Sequence, residues 1–249
     1  MATAPGGPDC TLVELRQYTL HPRQRDTLIE LFDREFVESQ EALGMRILGQ
    51  FRDLDRPDRF VWLRGFPQRA ERARALAAFY GGPVWKRHRE AANATMVDST
   101  NVLQLAPTRL GSGFERHLVA RPPVGATEIS QGEIVATVYS LESAVDDGVL
   151  RFFEQELKPA VEAAGIPVMA HFKTEASAND FPALPVREGE NVLVWFSALL
   201  PLGAYRERLA RLKDSRAWSE QIEPALKRWL KSSPEILRLS PTARSSLRA

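Results

Sequence analysis

The chain has 249 residues, 44% of them hydrophobic and 26% charged, with 33 basic side chains against 32 acidic ones. Those proportions exclude collagenous, low-complexity and wholly disordered chains, and a formal charge of +1 provides no electrostatic pull towards nucleic acid or an anionic membrane. The single cysteine, Cys10, excludes an internal disulfide and any multi-thiolate metal site, and no two histidines stand at i, i+3 or i, i+4, so no metal centre is expected.

The opening MATAPGGPDC lacks the basic and apolar segments of a secretory leader. No apolar run approaches the roughly 18–20 residues that span a bilayer. A cytoplasmic protein without a membrane span is expected, with its first eight residues disordered. Residues 12–20 alternate and carry β-formers, which predicts a strand. Leu28, Leu31, Phe32 and Phe36 then recur at helical spacing, and Gly44 stands where that helix should end. MRILGQF and RFVWLRGF read as two strands. A longer helical region interrupted at Gly81-Gly82-Pro83 follows, and NVLQL closes the first half as a fourth strand.

The second half repeats this course. Placing Tyr18 on Tyr139 brings Leu20 onto Leu141, Asp26 onto Asp147, Phe32 onto Phe153, Gly44 onto Gly165 and Phe51 onto Phe172 without a gap. After an insertion in the second half, Trp62 falls on Trp195 and Trp85 on Trp218, and Leu103, Leu105 and Pro107 meet Leu237, Leu239 and Pro241. Matches at tryptophans, a glycine and a proline in one order predict a tandem duplication. Each copy has the order β-α-β-β-α-β, the ferredoxin-like plan of an α+β protein. The expected domains are residues 9–110 and 130–242, joined by a Gly- and Pro-bearing linker at 111–129. The insertion at 174–191 reads as a long loop, and the tail after Pro241 is expected to be disordered.

The runs VELRQYTL, FVESQEALGMRILGQF, DRFVWLRGF and FYGGPVWKRHREAANATM resemble the NIPSNAP family. The resemblance covers nearly all of residues 12–107 and, more faintly, 133–241. The second half departs from it most, with EIVATVY in its first strand and the extra loop. That family belongs to the dimeric α/β-barrel superfamily, so the resemblance implies that the two ferredoxin-like sheets close on each other within one chain. It also implies the range of roles in that superfamily: cofactor-free monooxygenases, small isomerases, haem enzymes and plain binding proteins.

On this reading the sheet faces enclose a cavity, and strand alternation selects its lining. Val13, Leu15, Ile134, Ala136 and Val138 are assigned to the helix side. That leaves Glu14, Arg16, Tyr18, Leu48, Gln50, Phe60, Trp62, Arg64 and Gln104 for the interior. Val135, Thr137, Tyr139, Met169, His171, Leu193, Trp195, Ser197 and Arg238 join them from the second half. Charged and aromatic side chains together suit a ligand site better than a structural seam. His171, Glu14 and Arg16 are the catalytic candidates: an imidazole or carboxylate to move a proton and a guanidinium to hold an anionic oxygen. Tyr18, Gln50, Trp62, Arg64, Tyr139 and Trp195 are the candidates for contacting a small organic substrate. His88, sharing a helical face with Trp85 and Ala92, is a weak haem candidate whose second-half counterpart is Gln221. The expected function is a small-molecule-handling protein, either a cofactor-independent bacterial enzyme of proton-transfer, isomerase or monooxygenase type or a ligand-binding protein. The alternative is an interaction adaptor without catalysis. A homo-oligomer is open on either reading.

Overall fold

The structure is a computed structural model and describes residues 10–249. In the first half, β1 (Leu12–Leu20) leads into a helix running from Arg25 to Glu41 through a π turn at Phe32–Phe36. β2 (Arg46–Asp53) and β3 (Arg59–Phe66) follow, then helices Arg72–Tyr80 and Pro83–Asn93, the short β4 (Met96–Asp98), and β5 (Val102–Pro107). The second half begins with β6 (Glu133–Ser140) and a helix from Asp147 to Ala163, with a π turn at Phe153–Leu157. It continues with β7 (Ala170–Thr174), β8 (Val192–Leu199), helices Ala204–Asp214 and Trp218 to Lys227, and β9 (Glu235–Pro241). Gly44 and Gly165 follow the two long helices with φ of +89° and +85°. The next amide in each case donates back to a helix carbonyl, Met45 to Gln40 and Ile166 to Val161. A side chain at either glycine would have to hold a left-handed backbone, at a cost of about 1 kcal/mol.

The strands pair antiparallel in the order β3-β2-β9-β6-β8-β7-β5-β1, and β1 pairs back with β3. Eight strands therefore close a barrel, and β4 hangs from the end of β1. Within each half the ladders are long: β1 and β3 pair from Leu12–Phe66 to Thr19–Arg59, and β6 and β8 from Glu133–Leu199 to Ser140–Val192. The halves meet along two short seams. Phe51, Arg52 and Asp53 face Pro241, Ser240 and Leu239, and Leu105, Ala106 and Pro107 face Thr174, Lys173 and Phe172.

Strand alternation has the expected period and the opposite polarity. The barrel interior is an apolar core drawn from both halves, including Val13, Leu15, Phe51, Leu63, Ile134, Ala136, Val138, Phe172 and Phe196. Five of these are the residues that the sequence reading assigned to the helix side. Tyr18 and Trp62, and in the second half Val135, Tyr139, Leu193 and Trp195, pack instead beneath the helices. The physical reason is partner supply. An eight-stranded barrel has room inside for side chains and little else, so a charge there would meet only neighbouring strands. The helix-covered face brings helix and loop groups within reach of each polar residue. Leu48 faces the interior and Met169 packs against the same core, both as expected.

One end of the barrel is plugged by chain that the sequence reading treated as loose. Phe114 packs between Phe172 and Phe196 (ring centroids 4.9 and 4.8 Å), and Leu118 bridges to Leu247. The tail after Pro241 is ordered and largely buried, with Thr242, Ser245 and Leu247 at 0% exposure. Arg244 anchors it to Glu38 and to the Asp33 carbonyl. The expected N-terminal disorder lies outside the described residues. Among the described residues, no helix is long and apolar enough to cross a membrane.

Candidate functional site

The polar residues chosen from the first half do converge, on the outer face of the sheet beneath the helices. Glu14, Arg16, Arg64 and Arg72 all have 0% exposure. One oxygen of Glu14 accepts from Arg16 Nη1 (2.8 Å) and from Arg64 Nε and Nη2 (2.9 and 2.6 Å), and the other accepts from Arg72 Nε (2.8 Å). Arg16 Nε donates to the Tyr18 hydroxyl (3.0 Å) and Arg64 Nη1 to Gln40 (3.0 Å). Arg16 and Arg64 also lie over Trp62, at 5.3 and 5.1 Å from its ring centre. Burial alone would raise the Glu14 carboxyl, but Arg64, Arg16 and Arg72 outweigh it and hold the group far below the usual carboxylate range. A carboxylate held this firmly is a poor proton acceptor, so the geometry gives Glu14 the role of counter-ion rather than base. Arg72, from the second helical region, is the member of this cluster that strand reasoning missed. It lies in the arginine-rich stretch ERARAL, and only the helix placement shows it turned inwards.

Of the remaining residues, Gln104 joins this cluster and the others lie elsewhere. Gln50 is buried against the long first-half helix, donating to Asp33 (3.0 Å) and accepting from Arg121 (3.2 Å). His171 lies on the outer face beneath Phe153, with Nδ1 2.6 Å from the Thr108 hydroxyl. Burial, with the nearby charges of Lys158 and Arg109, pulls its pKa down to about 4, so the ring is neutral at pH 7. It faces away from the barrel interior, across which it was expected to approach Glu14, Tyr18 or Tyr139. His88 sits 3.5 Å from Glu35, with its ring against Phe36. Gln104 lies opposite Glu14 on β5 and, with its carboxamide oxygen towards Arg72, accepts from Nε and Nη2 at 3.0 Å. Arg238 pairs with Glu133 and Asp55 on the outer face.

The second-half layer is built on the same register with different side chains. Glu14 opposes Arg64 and Arg16 opposes Trp62; in the second half Val135 opposes Ser197 and Thr137 opposes Trp195. Where the first half has two guanidinium groups, the second has a threonine and a serine. Beside the threonine lies a cavity of about 520 Å³ between the sheet and its helices. Thr137, Tyr139 and Trp195 line its sheet side, Leu209, Leu212, Trp218 and Leu226 its helix side, and Lys213, Glu223 and Lys227 add charge. The buried Thr137 hydroxyl and Trp195 indole N–H make no hydrogen bond of good geometry, although they lie beside the hydroxyls of Tyr205 and Tyr139. Burial raises the pKa of both tyrosines, Tyr205 to about 12, so each presents a neutral O–H. Of the sequence candidates, Tyr139 and Trp195 are in this site. Tyr205, Trp218 and Lys213 were missed, because helix residues reach it from positions with no strand partner. The lining contains no His, Cys or Met, the usual axial donors for a haem iron, and His88 lies in the other half.

Comparison with known proteins follows the same division. Residues 13–110 match the NIPSNAP family model. No curated protein matches the chain. Among solved structures, a candidate monooxygenase from Lactobacillus acidophilus NCFM superposes with a TM-score of 0.52 at 14% identity, covering 96% of this chain and 98% of that one. A dye-decolorizing peroxidase from Bacteroides thetaiotaomicron gives a TM-score of 0.54 at 10% identity, covering 96% and 94%. A candidate chlorite dismutase gives 0.51 at 12% identity, covering 93% and 94%. At these identities the likeness is one of fold: an α+β protein whose antiparallel sheet closes into a barrel, with neighbours of the dimeric α/β-barrel type. The family likeness is thus confined to the first half of the chain, where residues 13–110 match the NIPSNAP model.

Proposed function

We propose that this protein binds a small organic molecule in the cavity between the second-half sheet and its helices, and that the chain is a pair of ferredoxin-like repeats, 9–110 and 130–242, of which the second has become the ligand-handling copy. The observation that carries the reading is the exchange of Arg16 for Thr137 at matching register positions, where Thr137 lines a cavity of about 520 Å³. That volume lies within the range of small-molecule sites, roughly 300–1,000 Å³.

The chemistry of the walls narrows the ligand. Trp195, Trp218, Tyr139 and Tyr205 favour a flat aromatic body. The neutral tyrosine hydroxyls, Thr137 and the indole N–H can donate to a carbonyl or phenolic oxygen on it. Lys213 and Lys227 suit an anionic substituent. Glu14, Arg16 and His171, first read as catalytic, fall outside this site. Hydrogen-bonded binding of a carbonyl or phenolic oxygen is the chemistry that the neutral donors support. Thr137→Phe should obstruct the sheet side of the cavity with little loss of stability. Native mass spectrometry of the wild type should show a bound small molecule that Thr137→Phe lacks. Failure of the wild type both to carry one and to show tryptophan quenching with a panel of aromatic phenols and quinones would refute the reading.

A further inference from the structure

The first-half arginine cluster is not balanced by its own half. Three fully buried guanidinium groups, Arg16, Arg64 and Arg72, share the one carboxylate of Glu14, and Arg16 Nη2 has no partner. The 174–191 loop, which belongs to the second half, supplies the missing anion. The carboxylate of Asp180 bridges Arg69 and Arg72, one oxygen to each, while Asn179 accepts from Arg72 (3.0 Å) and the Ala178 carbonyl from Arg69 (2.9 Å). The next residue, Phe181, stacks on Tyr80 with ring centroids 6.1 Å apart and planes inclined by 22°. The loop thus presents a carboxylate and a phenyl ring side by side, each seated on a matching group of the first half.

We propose that Arg69, Arg72 and Tyr80 form a binding site for an aromatic carboxylate, and that Asp180 and Phe181 occupy it as an internal mimic. Three further features support this. Arg69 Nε is buried without a partner, so the site has donor capacity that Asp180 does not use. The loop also borders a cavity of about 490 Å³ lined by Gln104, Thr174, Glu175, Ala178 and Arg187, which leaves the loop open space on that side. Asp180 itself is 27% exposed, within reach of a competing anion. The proposal stands independently of the second-half cavity, since it uses no residue of that lining.

The test is competition. The double substitution Asp180→Asn, Phe181→Ala removes the occupant, so calorimetric titration with 3-phenylpropanoate should give a Kd at least about 10-fold below that of the wild type. Arg69→Gln in that background should reverse the gain. Inorganic phosphate should gain less than 3-phenylpropanoate; an equal gain would mean the site reads charge alone and would overturn the aromatic class. No gain for either anion overturns the proposal. Trypsin treatment of the wild type gives a readout that needs no variant to fold. 3-Phenylpropanoate should speed cleavage after Arg187 by displacing the loop, and an unchanged rate overturns the competition.

Discussion

Replacing Glu14 by glutamine keeps the shape of the side chain and removes the charge on which Arg16, Arg64 and Arg72 converge. The three guanidinium groups would remain buried with the amide oxygen as a weak substitute. Breaking a buried pair in this way costs about 3–5 kcal/mol, a large part of the roughly 5–15 kcal/mol that holds a domain folded. For a chain of this size each kcal/mol moves Tm by about 2–4 °C, so a fall of about 6–20 °C is expected at pH 7. The pH dependence gives a second handle. The folded-state pKa of Glu14 lies below its unfolded value, so its contribution is complete above about pH 5 and declines as the pH falls towards the folded pKa. Thermal melts followed by circular dichroism should therefore show the gap between wild type and Glu14→Gln narrowing from pH 5 to pH 3. A variant that loses no more than the about 0.5 kcal/mol of a neutral surface change would refute the idea that this carboxylate holds the cluster together.

Three other outcomes follow from the same structure. The His171 ring should stay neutral until about pH 4 in an NMR titration, and because its folded pKa lies below the unfolded value, it should contribute a loss of stability as the pH falls from about 6.5 to 4; His171→Gln should flatten that slope, and a ring titrating near 6.5 would contradict the buried placement. Leu247→Ala should cost about 2–4 kcal/mol in urea unfolding, because Leu247 is fully buried at the plugged end of the barrel, whereas a loose tail would give no change. Thr137→Val should be neutral or stabilising by up to about 1 kcal/mol in the same assay, since the buried hydroxyl makes no well-formed hydrogen bond.

The order of elements could be read from the sequence because it rests on local signals: alternation in VELRQYTL, helical spacing through Phe32 and Phe36, and glycines at 44 and 165 where a left-handed backbone is needed. Alternation also grouped Glu14, Arg16, Tyr18, Trp62 and Arg64 onto one face, as they are. It does not say which face. That choice is made by groups distant in sequence: Gln40 and Arg72 on helices, and Asp180 on a loop from the other half. The second-half cavity left a fainter trace, the loss of side-chain volume from Arg16 to Thr137. It becomes visible only once those positions are known to lie under helices.

The two seams have a consequence for assembly. Parting them would leave each half as a four-stranded sheet with two bare edges, β2 and β5 in one and β9 and β7 in the other. Those edges are complementary between halves, whichever chain supplies them. Two molecules that opened together could therefore exchange halves and rebuild both barrels with every seam bond restored. Closure within one chain is favoured by the connection at residues 111–129, which keeps each half at high effective concentration for the other. The monomeric ring thus depends on the slack in that connection as much as on the seams. Shortening its exposed stretch, residues 123–129, would favour the exchanged pair without altering any residue inside the barrel.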